Sequence, residues 1–139
     1  MNVDFIVRTW IDDKASMWSV KEIYERIYKV VGVPIVFDYH HHRFCTGGQT
    51  EEEALKLAAS TWPKGIKPVV HVSESRAIEY DDSSIRPQAH SDFVLNPVEN
   101  YGQEHDIMLE CKKKELGLKI KEISDSVADI AAIKTEVAM

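Results

Sequence analysis

Short, nearly continuous apolar runs alternate along the chain with stretches whose apolar residues recur every three or four positions. The runs lie at residues 3–7, 33–38, 68–72 and 105–110. Continuous apolar runs of this length are typical of strands that are buried on both faces, as in a parallel sheet. The pattern therefore predicts four strands separated by helices.

The first helix is predicted to begin at Ser19 and to end at Gly32. Ser19 and Glu22 have the spacing of a capping box, and glycine commonly ends a helix. The apolar residues between these ends recur at helical spacing and predict one buried stripe. They are Val20, Ile23, Tyr24, Ile27 and Val30 or Val31.

A second helix is predicted to begin at Thr50, which forms a capping box with Glu53, and to end at residues 62–65. Residues 74–90 are polar and predict a long surface loop, a type of segment that is often functional. A lysine-rich helix is expected from about residue 112 to about residue 123. A solvated helix face is favoured for its lysines over contacts with phosphates.

The order of these elements, a strand followed by a helix four times over, predicts an α/β fold with a parallel sheet. Four such units amount to about half of a (β/α)8 barrel of the TIM type, although they could also form a small open sheet. No internal repeat, low-complexity segment or Pro/Gly-rich linker divides the sequence. We therefore expect residues 1–139 to form a single domain.

The composition is that of an ordinary globular chain, with 139 residues of which 44% are hydrophobic and 29% charged. No apolar run approaches the roughly 20 residues of a membrane-spanning helix, and the first residues lack the pattern of a secretory signal. We therefore expect a cytoplasmic protein that does not bind membranes. The net charge of -6 argues against indiscriminate binding of nucleic acid, but bound cations can invert the local field at one site.

Ionisable residues follow the ends of the predicted strands. Asp38 ends the second strand and precedes the histidines at positions 40–42, and His71 lies near the end of the third strand. Glu110 ends the fourth strand, and His90 ends the polar loop. Because functional residues of α/β folds lie at the carboxyl ends of strands, we expect these side chains to share one site. Mixed imidazole and carboxylate ligands suit Mn2+, Zn2+ or Fe2+.

Each of these features also has a purely structural interpretation. The three consecutive histidines could form a solvated turn, and His71 could be a hydrogen-bonded core residue. Glu110 could pair with the lysines at positions 112–114. The convergence of all these residues on one edge of the sheet favours the metal site.

Four blocks of the sequence resemble the UV damage endonuclease family, and they occur in the order that this family has. The resemblance covers roughly residues 12 to 118 and corresponds to the C-terminal half of a family member. The blocks are Val33-Pro34-Ile35-Val36-Phe37-Asp38-Tyr39-His40-His41-His42, Pro68-Val69-Val70-His71-Val72-Ser73, Ala89-His90-Ser91-Asp92 and Asp106-Ile107-Met108-Leu109-Glu110-Cys111-Lys112-Lys113-Lys114-Glu115.

The resemblance implies a TIM barrel with a cluster of divalent metals, Mn2+ being favoured and Zn2+ or Fe2+ being alternatives. It implies an enzyme that cuts the backbone of damaged double-stranded DNA immediately 5′ to ultraviolet photoproducts. Carried over position by position, the implied metal ligands are Asp38, His41, His71, His90 and Glu110. Glu110 and His71 are also the expected catalytic residues of a metal-assisted phosphodiester hydrolysis. The resemblance does not identify residues that bind the nucleic acid.

Two positions depart from the family pattern. Trp10 stands where the family has a ligand glutamate, and Val69 stands where it has a modified, metal-bridging lysine. Lys67 faces the same side of the strand but lies about 6 to 7 Å further down, because a strand rises about 3.3 Å per residue. We therefore do not expect Lys67 to replace that lysine.

The N-terminal half of the family has no counterpart in these blocks. The sequence therefore predicts a truncated half barrel that pairs with a partner chain or a second copy of itself, with weak or absent activity alone. Two other functions stay open at this point. One is a metal-dependent sugar isomerase similar to xylose isomerase, and the other is a non-catalytic half-barrel fragment.

Overall fold

The computed structural model describes residues 7–8, 18–113 and 116 of the chain. These residues belong to two compact units. The first unit contains the described residues up to Val72 together with Asn100–Met108. The second unit contains Ser73–Glu99 together with the described residues from Leu109 onward. A single-domain organisation stays a prediction.

Four strands follow one another in the sheet in chain order: β1 (Val7–Arg8), β2 (Ile35–Asp38), β3 (Val69–Val72) and β4 (Asp106–Leu109). β1 is parallel to β2, and β2 is parallel to β3. Parallel strands joined by helices confirm the predicted α/β fold. The half of a (β/α)8 barrel stays a prediction, and positions 3–6 of the first predicted strand lie outside the described residues.

The first helical segment begins and ends at the predicted residues. The Oγ atom of Ser19 accepts a hydrogen bond from the backbone N–H of Glu22 at 3.2 Å. Gly32 ends the segment with a φ of 71°, the left-handed conformation that glycine adopts without steric cost. Between them lie α1 (Val20–Ile23), a π-helical turn and α2 (Lys29–Val31).

The π-helical turn at Tyr24–Tyr28 changes which residues face the core. Val20 and Ile23, which precede it, are buried as predicted. The prediction that Val30 or Val31 belongs to the buried stripe is wrong, since these side chains are 76% and 63% exposed. A π-helical turn contains an extra residue, so the residues after it are rotated about the helix axis relative to an ideal helix.

The next helices connect β2 to β3. α3 (Tyr39–His42) is a single turn directly after β2, and α4 (Glu51–Ser60) begins with a hydrogen bond of 3.2 Å from the backbone N–H of Glu53 to Oγ1 of Thr50. The buried residues of α4 are Ala54, Leu55 and Ala58. This helix has the predicted cap.

Thr61, the residue that follows α4, ties the end of this helix to the sheet. Its Oγ1 accepts a hydrogen bond from the backbone N–H of Ile35 at 2.8 Å and donates one to the carbonyl of Ala58 at 2.6 Å. Thr61 is 1% exposed, so both bonds are buried. The start of β2 is thereby fixed relative to α4.

Both central strands are buried, as the apolar runs predict. All four residues of β2 and three of the four in β3 are buried. The histidines at positions 40–42 are buried as well, within α3. The alternative in which these histidines form a solvated turn is therefore wrong.

The second unit contains a helix where the sequence predicts a loop. α5 (Arg76–Glu79) lies within residues 74–90, and a single antiparallel bridge joins Ser75 to His90. One turn of helix shows no hydrophobic periodicity, so the polar sequence does not reveal it. Lys112 and Lys113 lie in a turn, and the rest of the predicted lysine-rich helix is outside the described residues apart from residue 116. Within the described ranges, no helix has the length and apolar character needed to cross a membrane.

Candidate metal centre

Asp38 ends β2 and also caps α3. Its backbone is extended, with φ of -118° and ψ of 110°, and its Oδ1 accepts a hydrogen bond from the backbone N–H of His41 at 3.0 Å. Asp38 is only 3% exposed. Burial of a carboxylate is unfavourable unless it is hydrogen-bonded or paired with a cation. The capping bond offsets part of this cost and fixes the direction of the carboxylate.

Two imidazole rings face the second oxygen of Asp38. Oδ2 lies 3.2 Å from Nδ1 of His41 and 3.9 Å from Nδ1 of His71. His41 reaches this oxygen from one helical turn further along the chain, and His71 reaches it from the register partner position on β3. Three of the five predicted ligands thus lie together in the first unit, buried on the carboxyl ends of two parallel strands.

The distance from Asp38 to each of these imidazoles fits a divalent cation between the carboxylate and that ring. Donor atoms about 2.1 Å from one ion lie about 3.0 to 4.2 Å apart, depending on the angle at the ion. Both separations from Oδ2 of Asp38 fall within this range. One carboxylate and two imidazoles form a donor set that suits Mn2+, Zn2+ or Fe2+.

The other two predicted ligands, His90 and Glu110, lie in the second unit. Nδ1 of His90 is 2.7 Å from the backbone carbonyl oxygen of Glu110. Because a carbonyl oxygen only accepts, Nδ1 carries the proton, and a neutral ring then has its lone pair on Nε2. Histidine ligands of metals commonly show this arrangement, in which the second ring nitrogen donates to a carbonyl.

The neighbouring histidines occupy different surroundings. His40 and His42 are 1% and 7% exposed, and burial lowers the pKa of His42, which favours its neutral form. His105, which the sequence leaves outside the ligand set, lies with its Nε2 3.4 Å from the hydroxyl of Tyr39. Of the three consecutive histidines, His41 is the one whose ring nitrogen lies within 4.0 Å of the Asp38 carboxylate.

One of the two positions that depart from the family pattern belongs to the described residues. Val69 is half-buried at the start of β3, and Trp10 is outside the described residues. Lys67 is exposed and forms an ion pair with Asp106 at 3.4 Å. That Lys67 does not replace the bridging lysine stays a prediction.

Asp92 is a residue to which the sequence assigns no role. It is 7% exposed and forms an ion pair with Arg76 at 2.6 Å. Asp92 belongs to the motif Ala89-His90-Ser91-Asp92, but its partner Arg76 lies 16 positions earlier in the chain. A pair so far apart leaves no pattern in the local sequence. Only the fold reveals this pair.

Comparison with known proteins decides the family. A family model described as UV-endonuclease UvdE matches residues 7–138. The chain belongs to this family. A UV DNA damage endonuclease of Bacillus cereus strain B4264 is 32% identical over 111 residues, which is 73% of this chain and 32% of that relative. A UV DNA damage endonuclease of Bacillus velezensis strain DSM 23117 is 34% identical over 95 residues, which is 63% of this chain and 28% of that relative.

A solved structure supports the same assignment to the UV-endonuclease family. The crystal structure of SacUVDE superimposes with a TM-score of 0.64 and 28% sequence identity, over 88% of this chain and 40% of that chain. The resemblance predicted from the four sequence blocks is thereby confirmed. The chain spans about a third of the length of the curated relatives it matches.

Proposed function

We propose that this UV-endonuclease chain contributes the metal-binding part of a DNA repair endonuclease. The enzyme would hydrolyse the backbone of ultraviolet-damaged double-stranded DNA on the 5′ side of a photoproduct. Its similarity to UV DNA damage endonucleases supports this substrate. Family membership also favours a nuclease over the sugar isomerase that the ligand types alone allow.

The observation that carries the proposal is the buried carboxylate of Asp38 between two imidazoles. A salt bridge in the interior contributes little net stability, because the loss of hydration opposes the attraction. His41 and His71 are therefore poorly explained as stabilising partners of Asp38 alone. They are better explained as metal ligands that lie beside it.

Asp38, His41 and His71 are the proposed ligands of the first unit, and the family resemblance adds His90 and Glu110 as further proposed ligands. Mn2+ is the favoured metal, because carboxylates prefer harder ions and imidazoles can also coordinate Mn2+. When bound, the metal would polarise the phosphodiester and supply an activated water molecule.

The chain's own residues would orient these groups. The bond from the backbone N–H of His41 to Oδ1 of Asp38 fixes the start of α3, and Nδ1 of His41 then lies 3.2 Å from Oδ2 of Asp38. We propose His71 and Glu110 as the catalytic residues, His71 being fixed by its register position beside Asp38.

Metal titration and DNA incision test the proposal together. Metal-free protein is titrated with Mn2+ in a calorimeter and then incubated with a 5′-labelled, ultraviolet-irradiated duplex. We expect wild-type protein to bind Mn2+ and Asp38→Asn to bind at least about tenfold more weakly. Asp106→Asn, which changes an exposed carboxylate of the same unit, is the matched control and should bind as the wild type does.

Different results would overturn different parts of the proposal. If wild-type protein bound neither Mn2+, Zn2+ nor Fe2+, or if Asp38→Asn bound Mn2+ like the wild type, the metal centre would be wrong. If Mn2+ bound but no duplex were cut, even with a family-like N-terminal half co-expressed, the non-catalytic alternative would be favoured. Any incision product should end immediately 5′ to the lesion.

We also propose that the chain pairs with a partner chain or with a second copy of itself. The edge strand β4 supports this, since Ile107 and Met108 are 47% and 49% exposed. An exposed apolar edge strand is a surface on which another strand can pair. Light scattering after size exclusion should give twice the monomer mass or more, or a protein of low stability, and a stable monomer with full incision activity would contradict this.

A further inference from the structure

The segment that carries His90 is bound tightly to α5 through Asp92. Nη1 of Arg76 donates to Oδ1 of Asp92 at 2.6 Å, and the hydroxyl of Tyr80 donates to Oδ2. Both carboxylate oxygens are therefore engaged by side chains at or next to α5. The guanidinium of Arg76 also lies over the ring of Tyr80, 4.8 Å from its centre, so the two donors support each other.

Glu79 connects α5 to the same segment by accepting hydrogen bonds from its backbone. Its carboxylate accepts hydrogen bonds from the backbone N–H groups of Asp92 at 2.8 Å and Phe93 at 3.1 Å. On the other flank of His90, the backbone N–H of Arg76 donates to the carbonyl of Ala89 at 2.9 Å. The backbone on both sides of His90 is thus held by the same short helix.

The segment that carries Glu110 is held by the same residues from the other side. The backbone N–H groups of Lys112 and Lys113 donate to the carbonyls of Ser91 at 2.9 Å and Asp92 at 3.0 Å. The bond from Nδ1 of His90 to the carbonyl of Glu110 continues this row of contacts. The position of the His90 ring therefore depends on how residues 90–92 are aligned with residues 110–113 by these hydrogen bonds.

We propose that Asp92 is a positioning residue for the metal centre. By anchoring this segment to Arg76 and Tyr80, Asp92 keeps Nδ1 of His90 on the carbonyl of Glu110 and keeps the lone pair on Nε2 for a metal. This inference rests on the proposed function, in which His90 is a ligand. Asp92 itself is not a ligand in this arrangement, because its two oxygens accept from Arg76 and Tyr80.

The test measures the ring of His90 directly and the affinity for Mn2+ separately. Protein labelled with 15N on histidine reports the protonated ring nitrogen in two-bond 1H–15N spectra, and a His90→Gln variant assigns the signal. We expect the wild type to show the Nδ1–H form, and Asp92→Asn to show a mixture of forms and about tenfold weaker Mn2+ binding. Asp82→Asn is the matched control, because the Asp82 carboxylate is exposed and bonds to Ser84 within its own turn.

Two further variants keep the test decisive. If Asp92→Asn does not fold, Tyr80→Phe takes its place. It removes a single hydroxyl and should also give a mixture of His90 ring forms. Arg76→Gln separates positioning from direct ligation: positioning predicts weaker Mn2+ binding, whereas a ligand freed from its ion pair would bind Mn2+ as well as before or better.

The possible outcomes separate this inference from the proposed function. An unchanged His90 spectrum in both Asp92→Asn and Tyr80→Phe would overturn the positioning role. Wild-type protein that binds no metal, but whose His90 form still depends on Asp92, would refute the metal centre and leave the positioning of the ring established.

Discussion

Asp38 and His71 are register partners on adjacent parallel strands, and Oδ2 of Asp38 lies 3.9 Å from Nδ1 of His71. The sheet itself fixes this relationship, since register partners project to the same side of neighbouring strands. A one-residue slip between β2 and β3 would turn one of the two side chains to the opposite face. The metal proposal therefore depends on strand register as much as on the identity of the ligands.

The two neighbouring histidines of α3 should differ in their effect on metal binding. We expect His41→Ala to weaken Mn2+ binding by at least about tenfold, because its Nδ1 lies 3.2 Å from the Asp38 carboxylate. His40→Ala should reduce stability more than metal affinity, since His40 is 1% exposed and stacks edge-on against Phe44. Calorimetric titration with Mn2+ and urea unfolding measure the two effects. A larger loss of affinity in His40→Ala would show that the assignment of ligands within this block is wrong.

Sequence predicted those parts of the fold that have a local cause. Ser19 and Thr50 cap their helices because a hydroxyl three residues before a backbone N–H can bond to it. Asp38 was predicted as a site residue because it follows an apolar run, and the carboxyl ends of parallel strands share one edge. In each case the signal and the structure lie within a few residues of each other.

The features that sequence missed depend on contacts between distant positions. The π-helical turn that exposes Val30 has no signature in the apolar pattern, which continues through it. α5 is one turn long and polar, and it is held by the bonds of Arg76 and Glu79 to residues 92–93. The role of Asp92 follows from those same bonds and could not be read from its neighbours.

Gly47 should be intolerant of any side chain. Its φ is 61°, and a Cβ atom there would lie 2.5 Å from Oγ of Ser19, the hydroxyl that caps α1. We expect Gly47→Ala to lower the free energy of unfolding by about 2 to 4 kcal/mol, combining left-handed strain with loss of the cap. Gly48→Ala is the control: its φ is 82°, but a Cβ atom there would meet no other described residue within 4 Å beyond its chain neighbours, so only the backbone cost of about 1 kcal/mol applies. Equal losses in urea unfolding would argue against the contact with Ser19.

Thr61 should contribute to stability through its two buried hydrogen bonds. In Thr61→Val the shape is nearly conserved, but the backbone N–H of Ile35 loses its 2.8 Å acceptor in the interior. We expect a loss of about 1 to 3 kcal/mol in the free energy of unfolding and faster amide exchange at Ile35. Thr46→Val, at an exposed hydroxyl that accepts from the backbone N–H of Gly48, should change stability by less than about 0.5 kcal/mol. Unchanged exchange at Ile35 would show that the bond is not formed in solution.

His105 should make stability depend on pH below neutrality. Burial is the main cause that lowers the pKa of His105, and the nearby charge of Lys67 acts in the same direction. The pKa of His105 is therefore lower in the folded state than in the unfolded state, where histidine has its ordinary pKa of about 6.5. Above that pH the ring is neutral in both states and contributes nothing to the difference. As the pH falls below about 6.5, the unfolded state binds more protons, and stability decreases until the pKa of the folded state is reached.

His105→Gln isolates this contribution, because glutamine does not titrate and His42, whose pKa burial also lowers, is still present in both proteins. The free energy of unfolding of the wild type, relative to His105→Gln, should fall as the pH is lowered from 7.5 to 5.5. One proton limits the slope of this difference to about 1.4 kcal/mol per pH unit. Loss of the contact with Tyr39 changes the offset between the two curves but not the slope. Parallel curves in urea unfolding across this range would show that His105 titrates alike in the folded and unfolded states, and a difference that grows as the pH falls would show a raised pKa instead.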